Sequence, residues 1–365
     1  MTADGPVTTT PAPLAADATT AALQQSSIVR WWQVTRFVEL AGPDAITFLG
    51  DLCTQAVERI APGTDRLGLL LEVKAHIVAA IDIYNAEPRP YTDPRRGDQV
   101  EAAPRLLLET LPEQVEPLVA LLTKYRLRAK VTIESVDLAS VAVVGAAAVD
   151  DVARALLDDA AAAATGQWFT RTGRDDDAPV RTWIGDPQAA RTMVELLAGA
   201  GIGLADPTAF EAARIAAGTV SLHDLLAGRM PAEVGGVEAA VALDAGCYLG
   251  QEPVVRLHFR GRANRTLRQI VADAPIAPGS PASSPADADA ADVDPLDLFR
   301  TGPDASTRPV GRLTTWSELP DGTSIGFATL RRELELGDAL RLGTSSTHVT
   351  VADAAPPSRD DVRAT

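Results

Sequence analysis

The sequence predicts an α+β fold that ends in a small β-barrel. Two observations carry this reading. Strand-like segments come in pairs between segments of helical spacing, whereas a doubly wound parallel sheet needs strands and helices in strict alternation. Beyond residue 264 the ordered-looking pieces (TLRQIVA, VGRLTTW, TSIGFATL, ALRLG and HVTVAD) are all strand-like and separated by turn residues. At 365 residues the chain exceeds one average domain. It divides into a disordered lead (1–28), a main domain (29–270), a barrel segment (271–356) and a loose tail (357–365). An acidic Ala/Pro-rich insertion interrupts the barrel segment at about 279–308.

The elements follow in order. IVRWWQVTRFVEL (28–40) is rich in β-branched and aromatic residues and reads as strands. GPDAITFLGDLCTQAVERI (42–60) places Pro43 at a helix start and apolar residues at Ile46, Leu49, Cys53 and Val57, which is helical spacing. On that reading Cys53 is a small buried hydrophobe. Residues 66–84 predict a hairpin turning near Lys74–Ala75, EPRPYTDPRRGD (87–98) a loop, and RLLLETL (105–111) a strand. LPEQVEPLVALLTKYRLRAKVTIESV gives a helix and then a strand, and SVAVVGAAAVDDVARALLDDAAAAA a strand and then a helix ending near Gly166. VRTWIG (180–185) is a strand and PQAARTMVELLAGA a helix. The close glycines of GAGIGLADP (199–207) close that helix, while a dinucleotide loop would follow a strand and open one. PTAFEAARIAAGTVSL (207–222) is a helix with Pro207 at its start and Gly218 near its end.

Composition narrows the function. The net charge of −16, from 33 basic and 49 acidic side chains, favours solubility and argues against a general nucleic-acid or anionic-membrane binder. Cys53 and Cys247 form no CxxC, and His76, His223, His258 and His348 are scattered, so neither a metal quartet nor a cluster-binding set can be assembled. The first 28 residues lack the basic start and apolar core of a signal peptide. The longest apolar stretch, LGLLLEVKAHIVAAIDIY, is broken by Glu72, Lys74 and Asp82. The expectation is a soluble, cytoplasmic protein with reduced thiols.

The chemistry concentrates in DAGCYLGQEPVVRLHFRGR (244–262). Gly246 and Gly250 bracket Cys247, Tyr248 and Leu249 and predict a tight turn with its backbone close to another surface. An exposed thiol there becomes nucleophilic where a cation lowers its pKa, and Arg256 or Arg260 would supply one. The other reading is a buried thiol beside a Glu–Arg pair that locks two elements together. Gln251 and Glu252 either recognise a heterocyclic amide or fix the turn. No Gly-x-Ser-x-Gly elbow or phosphate loop competes with this stretch.

GCYLGQE followed by VVRLHFRGR resembles the signature of YgfZ-type proteins, the folate-binding relatives of the glycine-cleavage T protein (aminomethyltransferase). The resemblance continues upstream in FEAARIAAG (210–218), MPAEVGG (230–236), ITFLGDLCTQAV (46–57) with its Thr54, and LLLEVKAHIVAAIDIY (69–84). Downstream, GRLTTWSELPDGTSIGFATLRREL (311–334) is similar to the family's barrel. The family pattern has a lysine where this chain has Ala245, and an arginine-bearing strand after the signature. The T protein's catalytic aspartate falls at Ala80, with Asp82 two residues later.

The resemblance implies a T-protein-like folate-binding fold of three subdomains in a ring around a central cavity, with tetrahydrofolate or a folate derivative as cofactor. It implies that Glu211 hydrogen-bonds the pterin edge, with Arg214, Gln251, Glu252, Arg256 and Thr54 in the binding set and Cys247 as a functional thiol. Without the family, Glu211 reads as a helix-surface carboxylate paired with Arg214 at i+3. The implied role is a non-redox accessory protein in assembly or repair of iron–sulfur clusters in client enzymes, tRNA-modifying ones included. Its partners would be those clients or assembly proteins, with no direct nucleic-acid contact and no membrane. A tetrahydrofolate-dependent one-carbon transferase and a degenerate folate-fold binding module are the alternatives. Ala80 weighs against the first of these, and Ala245 keeps the second open.

Overall fold

In the computed structural model the described residues are 18, 28–31, 35–145, 166–171, 180–225, 227–235, 237–276, 294–302, 305, 307–345 and 347–352. The tail (357–365), the helix expected after Val144, and nearly all of the lead (1–28) lie outside them. Most of the acidic insertion does too.

The fold is mixed α+β. A nine-stranded sheet has the order β1-β7-β9-β8-β3-β4-β5-β2-β6. Its strands are β1 (Ile28–Arg30), β2 (Arg36–Ala41), β3 (Thr64–Leu71), β4 (Ile77–Thr92), β5 (Gln99–Thr110), β6 (Thr132–Val136), β7 (Ala139–Val144), β8 (Gly166–Arg171) and β9 (Val180–Gly185). Strand β2 is buried along all but its first residue because it lies between β5 and β6. Phe37, Tyr84, Leu107, Phe169 and Ile184 pack into one core on this sheet. A second core joins Val141, Val143 and Trp183 to Met193, Val194 and Leu197. The last three lie on the helix Pro187–Gly199, which starts where Asp186 accepts from the Gln188 and Ala189 amides.

The remaining strands form a closed barrel in the order β10-β13-β12-β11-β14-β15. These are β10 (Arg265–Ala272), β11 (Asp297–Arg300), β12 (Gly311–Glu318), β13 (Ser324–Arg331), β14 (Ala339–Leu342) and β15 (His348–Val351). Period-two burial along β10 sends Thr266, Arg268, Ile270 and Ala272 inward, and Ile270 joins Leu313, Leu330, Leu340 and Val349 in the barrel core. Strand β11 was hidden in the stretch assigned to the insertion, since DLFR is flanked by Pro and Asp on one side and Gly-Pro-Asp on the other.

Three expectations are corrected. The helix expected over 42–60 is only α1 (Ala45–Gly50). Beyond it Cys53 bridges to Leu70, the Thr54 amide donates to the Leu69 carbonyl, and the Thr54 and Gln55 side chains donate to the carbonyls of Ala240 and Ala239. Long-range bonds replace the helical ones, and Cys53 is fully buried for that reason. The loop expected over 87–98 is strand as far as Thr92, with register shifts between Ala86 and Arg89 and between Arg89 and Tyr91. Pro88 and Pro90 lie at these irregularities, where a missing N–H breaks no ladder bond. The arginine-bearing strand expected after GQE is a helix, Gln251–Arg260. Val254, the buried residue of this helix, stands at i, i+3, i+4 spacing with Leu257 and His258, and Pro253 stands in the first turn, where its absent N–H costs nothing.

Contacts divide the chain into two compact units. One comprises Met1–Leu49, Val57–Leu67 and Asp82–Phe210, and the other Gly50–Ala56, Gly68–Ile81 and Glu211–Thr365. The second holds the barrel and every candidate site residue. No helix among the described residues is long and apolar enough to cross a membrane.

Candidate functional site

The site is built around Arg214. Helix α4 (Pro207–Ala216; α2 is Val115–Tyr125 and α3 Pro187–Gly199) carries Glu211 and Arg214 one turn apart. All five guanidinium N–H groups are used. Nε and Nη2 donate to Glu211 Oε2 at 2.9 and 2.6 Å, and Nη1 donates to Asp224 Oδ2 at 2.9 Å and the Thr219 carbonyl at 2.6 Å. Nη2 also donates to Thr315 Oγ1 on β12 at 3.1 Å. Asp224 is fully buried; its Oδ2 accepts from the Ser221 amide and hydroxyl, and its Oδ1 from the hydroxyls of Thr314 and Thr315. Burial works against the charged guanidinium, but Asp224 and Glu211 outweigh it and hold the Arg214 pKa above the ordinary arginine value.

One consequence decides the roles. Arg214 has no donor left for a ligand, so it is a positioning residue for Glu211. The Glu211–Arg214 pair expected from i+3 spacing is present, and both of its hydrogen bonds fall on Oε2. Glu211 Oε1 has no protein partner among the described residues, and the side chain is 31% exposed. The result is an acceptor-only carboxylate, oriented through one oxygen and open at the other.

The glycine-framed turn is also as expected in outline. Gly246 and Gly250 have φ of +40° and +78°. Gly250 caps the helix Gln251–Arg260, here α7 after α5 (Pro231–Val234) and α6 (Val237–Ala240). A Cβ on Gly250 would come within 2.5 Å of the Glu72 carbonyl oxygen. The turn therefore presses its backbone against the tip of the β3–β4 hairpin, which only glycine permits. Cys247 is exposed, and no contact among the described residues joins it to Arg256, itself exposed in the second turn of α7. Gln251 Nε2 donates to the Gly246 carbonyl at 2.7 Å, so its amide fixes the turn. Glu252 is exposed, without a partner among the described residues.

Thr54 is fully buried; its hydroxyl donates to the Ala240 carbonyl at 2.6 Å and accepts from the Leu69 amide at 2.9 Å, so it ties the segment after α1 to β3 and to α6. Ala245 is buried, so a lysine there would have to carry its ammonium out of an apolar setting. Ala80 is fully buried on β4 and supplies no carboxylate, and Asp82 belongs to the other unit, opposite Glu109 on β5.

Residues that the sequence reading missed complete the site. Asp224 follows Ser221 at the capping-box spacing, and that box is formed. The signal was present in SLHD. Thr315 had none, lying 101 residues from Arg214. Tyr248, inside the framed turn, is buried with a hydroxyl that has no partner among the described residues, and burial, with the Cys53 thiol nearby, pushes its pKa up to about 12.

No protein-family model matches the chain, and no curated protein matches it. Among solved structures it is similar to the glycine cleavage system aminomethyltransferase T from Bartonella henselae, with a TM-score of 0.63 and 14% identity over 94% of this chain and 90% of that one. The heterotetrameric sarcosine oxidase from Corynebacterium sp. U-96 aligns with 51% of this chain and 90% of its own at 14% identity, but its TM-score of 0.24 carries no weight for the fold. The α+β sheet, the closed six-stranded barrel and the near-complete overlap with the first of these give this chain the glycine-cleavage aminomethyltransferase T fold.

Proposed function

We propose that the chain is a tetrahydrofolate-binding accessory protein of the YgfZ type. It would assist assembly or repair of iron–sulfur clusters in client enzymes, those that modify tRNA included. The observation that carries the folate part is the state of Glu211. Its Oε2 is clamped by a fully satisfied, buried arginine, and its Oε1 is free to accept. The edge of a pterin presents N–H donors, which suit an oriented carboxylate. Tetrahydrofolate, when bound, would supply a carrier for one-carbon groups. This chain's own residues hold and orient it: Glu211 accepts, Arg214 fixes Glu211, and Asp224 holds Arg214. Cys247, exposed on its turn, is the residue proposed to act toward a client. Ala80, buried and without a carboxylate, favours an accessory role over aminomethyl transfer.

The test is the tetrahydrofolate affinity of purified protein by calorimetry. Glu211→Ala is expected to weaken binding by about 1.5–3 kcal/mol, the usual scale for a hydrogen bond to a charged group. Glu211→Gln keeps an acceptor toward Arg214 while removing the charge, so it separates ligand binding from helix packing. Unchanged affinity in both variants overturns the assignment. The client role is read separately, from rescue of a strain lacking its own YgfZ-type protein, where Cys247→Ser is expected to lose rescue while keeping affinity.

A further inference from the structure

Strands β10 and β13 set Arg265 directly opposite Arg331. Both project from the outer face of the barrel, since the alternate residues of β10 are the buried ones. Like charges directly opposite on one sheet face repel. A third arginine joins them. Arg229 stands just before α5, the turn after which lies against β10 so closely that a Cβ on Gly235 would come within 2.9 Å of Leu267 Cβ. Burial first, then Arg229 and Arg331, press the Arg265 pKa below the ordinary arginine value.

The nearby carboxylates Glu233 and Asp297 attract Arg265 from a distance, but neither forms a direct ion pair with it among the described residues, and each has a closer partner. Glu233 accepts from the Met230 amide at 3.2 Å, and Asp297 lies 3.5 Å from Arg312. Arg331 reaches Glu333 only at 3.4 Å with both groups largely in water. Neither Arg229 nor Arg265 makes a side-chain hydrogen bond or a direct ion pair among the described residues. A chain with 49 acidic side chains has thus left two guanidiniums without a direct ion pair among the described residues, beside a third.

We propose that Arg229, Arg265 and Arg331 form an anion-binding site on the outer face of the barrel, which takes the oxyanion group of a small ligand, either phosphate or carboxylate. The planar guanidinium fork matches both groups, and bound charge removes the repulsion the strands otherwise enforce. The site is independent of the folate reading, which is tested through Glu211.

The experiment uses the full chain at constant ionic strength, with inorganic phosphate and tri-γ-glutamate as separate probes and chloride as the control. At least one probe is expected to raise Tm saturably above chloride. Arg265→Gln is expected to weaken that response by about tenfold or more. Without any probe, the same variant is expected to keep or raise Tm, because it relieves like-charge repulsion. A response to phosphate alone identifies a phosphorylated ligand, and a response to tri-γ-glutamate alone an oligocarboxylate; either supports the site. No saturable response to either probe in the wild type overturns it. So does an Arg265→Gln variant that responds fully, or one whose Tm falls in the absence of probe.

Discussion

Cys53 and Cys247 carry the same side chain into opposite environments. Cys53 is fully buried, and burial pushes its thiol from the ordinary 9.0 up to about 12. Cys247 is exposed on a turn. Iodoacetamide is expected to label Cys247 in the native protein and Cys53 only after unfolding, as read by mass spectrometry. Equal labelling of the two in native protein would contradict both placements. The raised pKa also sets a pH dependence. The folded state holds the Cys53 proton more tightly than the unfolded chain, so that contribution to stability is complete below pH 9 and is lost as pH rises toward 12. Cys53→Ala is expected to flatten that decline in urea titrations across the same window. At this scale the sequence was informative where one residue type has one physical meaning. Glycines around Cys247 meant a tight turn with its backbone close to another surface, as Gly250 lies against Glu72, and an apolar stripe through Cys53 meant burial. It was silent on Thr54, whose hydroxyl is held by Ala240 and Leu69, 186 and 15 positions away.

The turn from Gly246 to Gly250 and the helix after it act as one element. Its two ends differ in what they can tolerate. Both glycines have positive φ, but a Cβ on Gly246 meets nothing within 4 Å, while on Gly250 it meets the Glu72 carbonyl oxygen at 2.5 Å, Leu71 and Ala75. Gly246→Ala is therefore expected to cost about 1–2 kcal/mol, the left-handed penalty alone. Gly250→Ala adds a backbone clash that no side chain can relieve, and its loss in urea denaturation should be clearly larger. Equal losses would mean that the turn does not sit against the hairpin. The element itself was half legible. Val254, Leu257 and His258 already have helical spacing in the sequence, yet the resemblance suggested a strand after GQE, and the local pattern was the better guide. The residues of 42–60 show the reverse. Their spacing is helical as far as Val57, but the carbonyls of Leu69, Ala239 and Ala240 give the chain from Thr54 onward other partners. Periodicity describes which residues are buried and leaves open which backbone groups they bond.

Across the whole molecule, linear position and structural membership part company. The second unit takes Gly50–Ala56 and Gly68–Ile81 from the N-terminal third of the chain and joins them to Glu211–Thr365. A composition shift marks where residue types change along a chain, and nothing in composition signals that a seven-residue stretch around Thr54 serves residues some 185 positions later, as the Thr54–Ala240 and Gln55–Ala239 bonds require. Strands β3 and β4 and helix α4 each have residues in both units, so each runs unbroken through a unit boundary. A strand cannot remain ordered at one end of a ladder while its other end melts without fraying the residues between. The two units should therefore unfold together. In urea, far-ultraviolet circular dichroism, which follows both units, and the emission of Trp316, which lies on β12 in the barrel, are expected to show coincident midpoints, provided the other four tryptophans, all in the first unit, are replaced by Phe. Midpoints that separate would show that the shared strands do not couple the units. For the same reason, a fragment beginning at Glu211 lacks the residues that satisfy the Ala239 and Ala240 carbonyls and surround Gly250. Expressed alone, it is expected to lose the native protection of the turn. Proteolysis should cut near Cys247 in the fragment before it cuts there in the full chain, and equal resistance would show that the turn is held by the C-terminal residues alone.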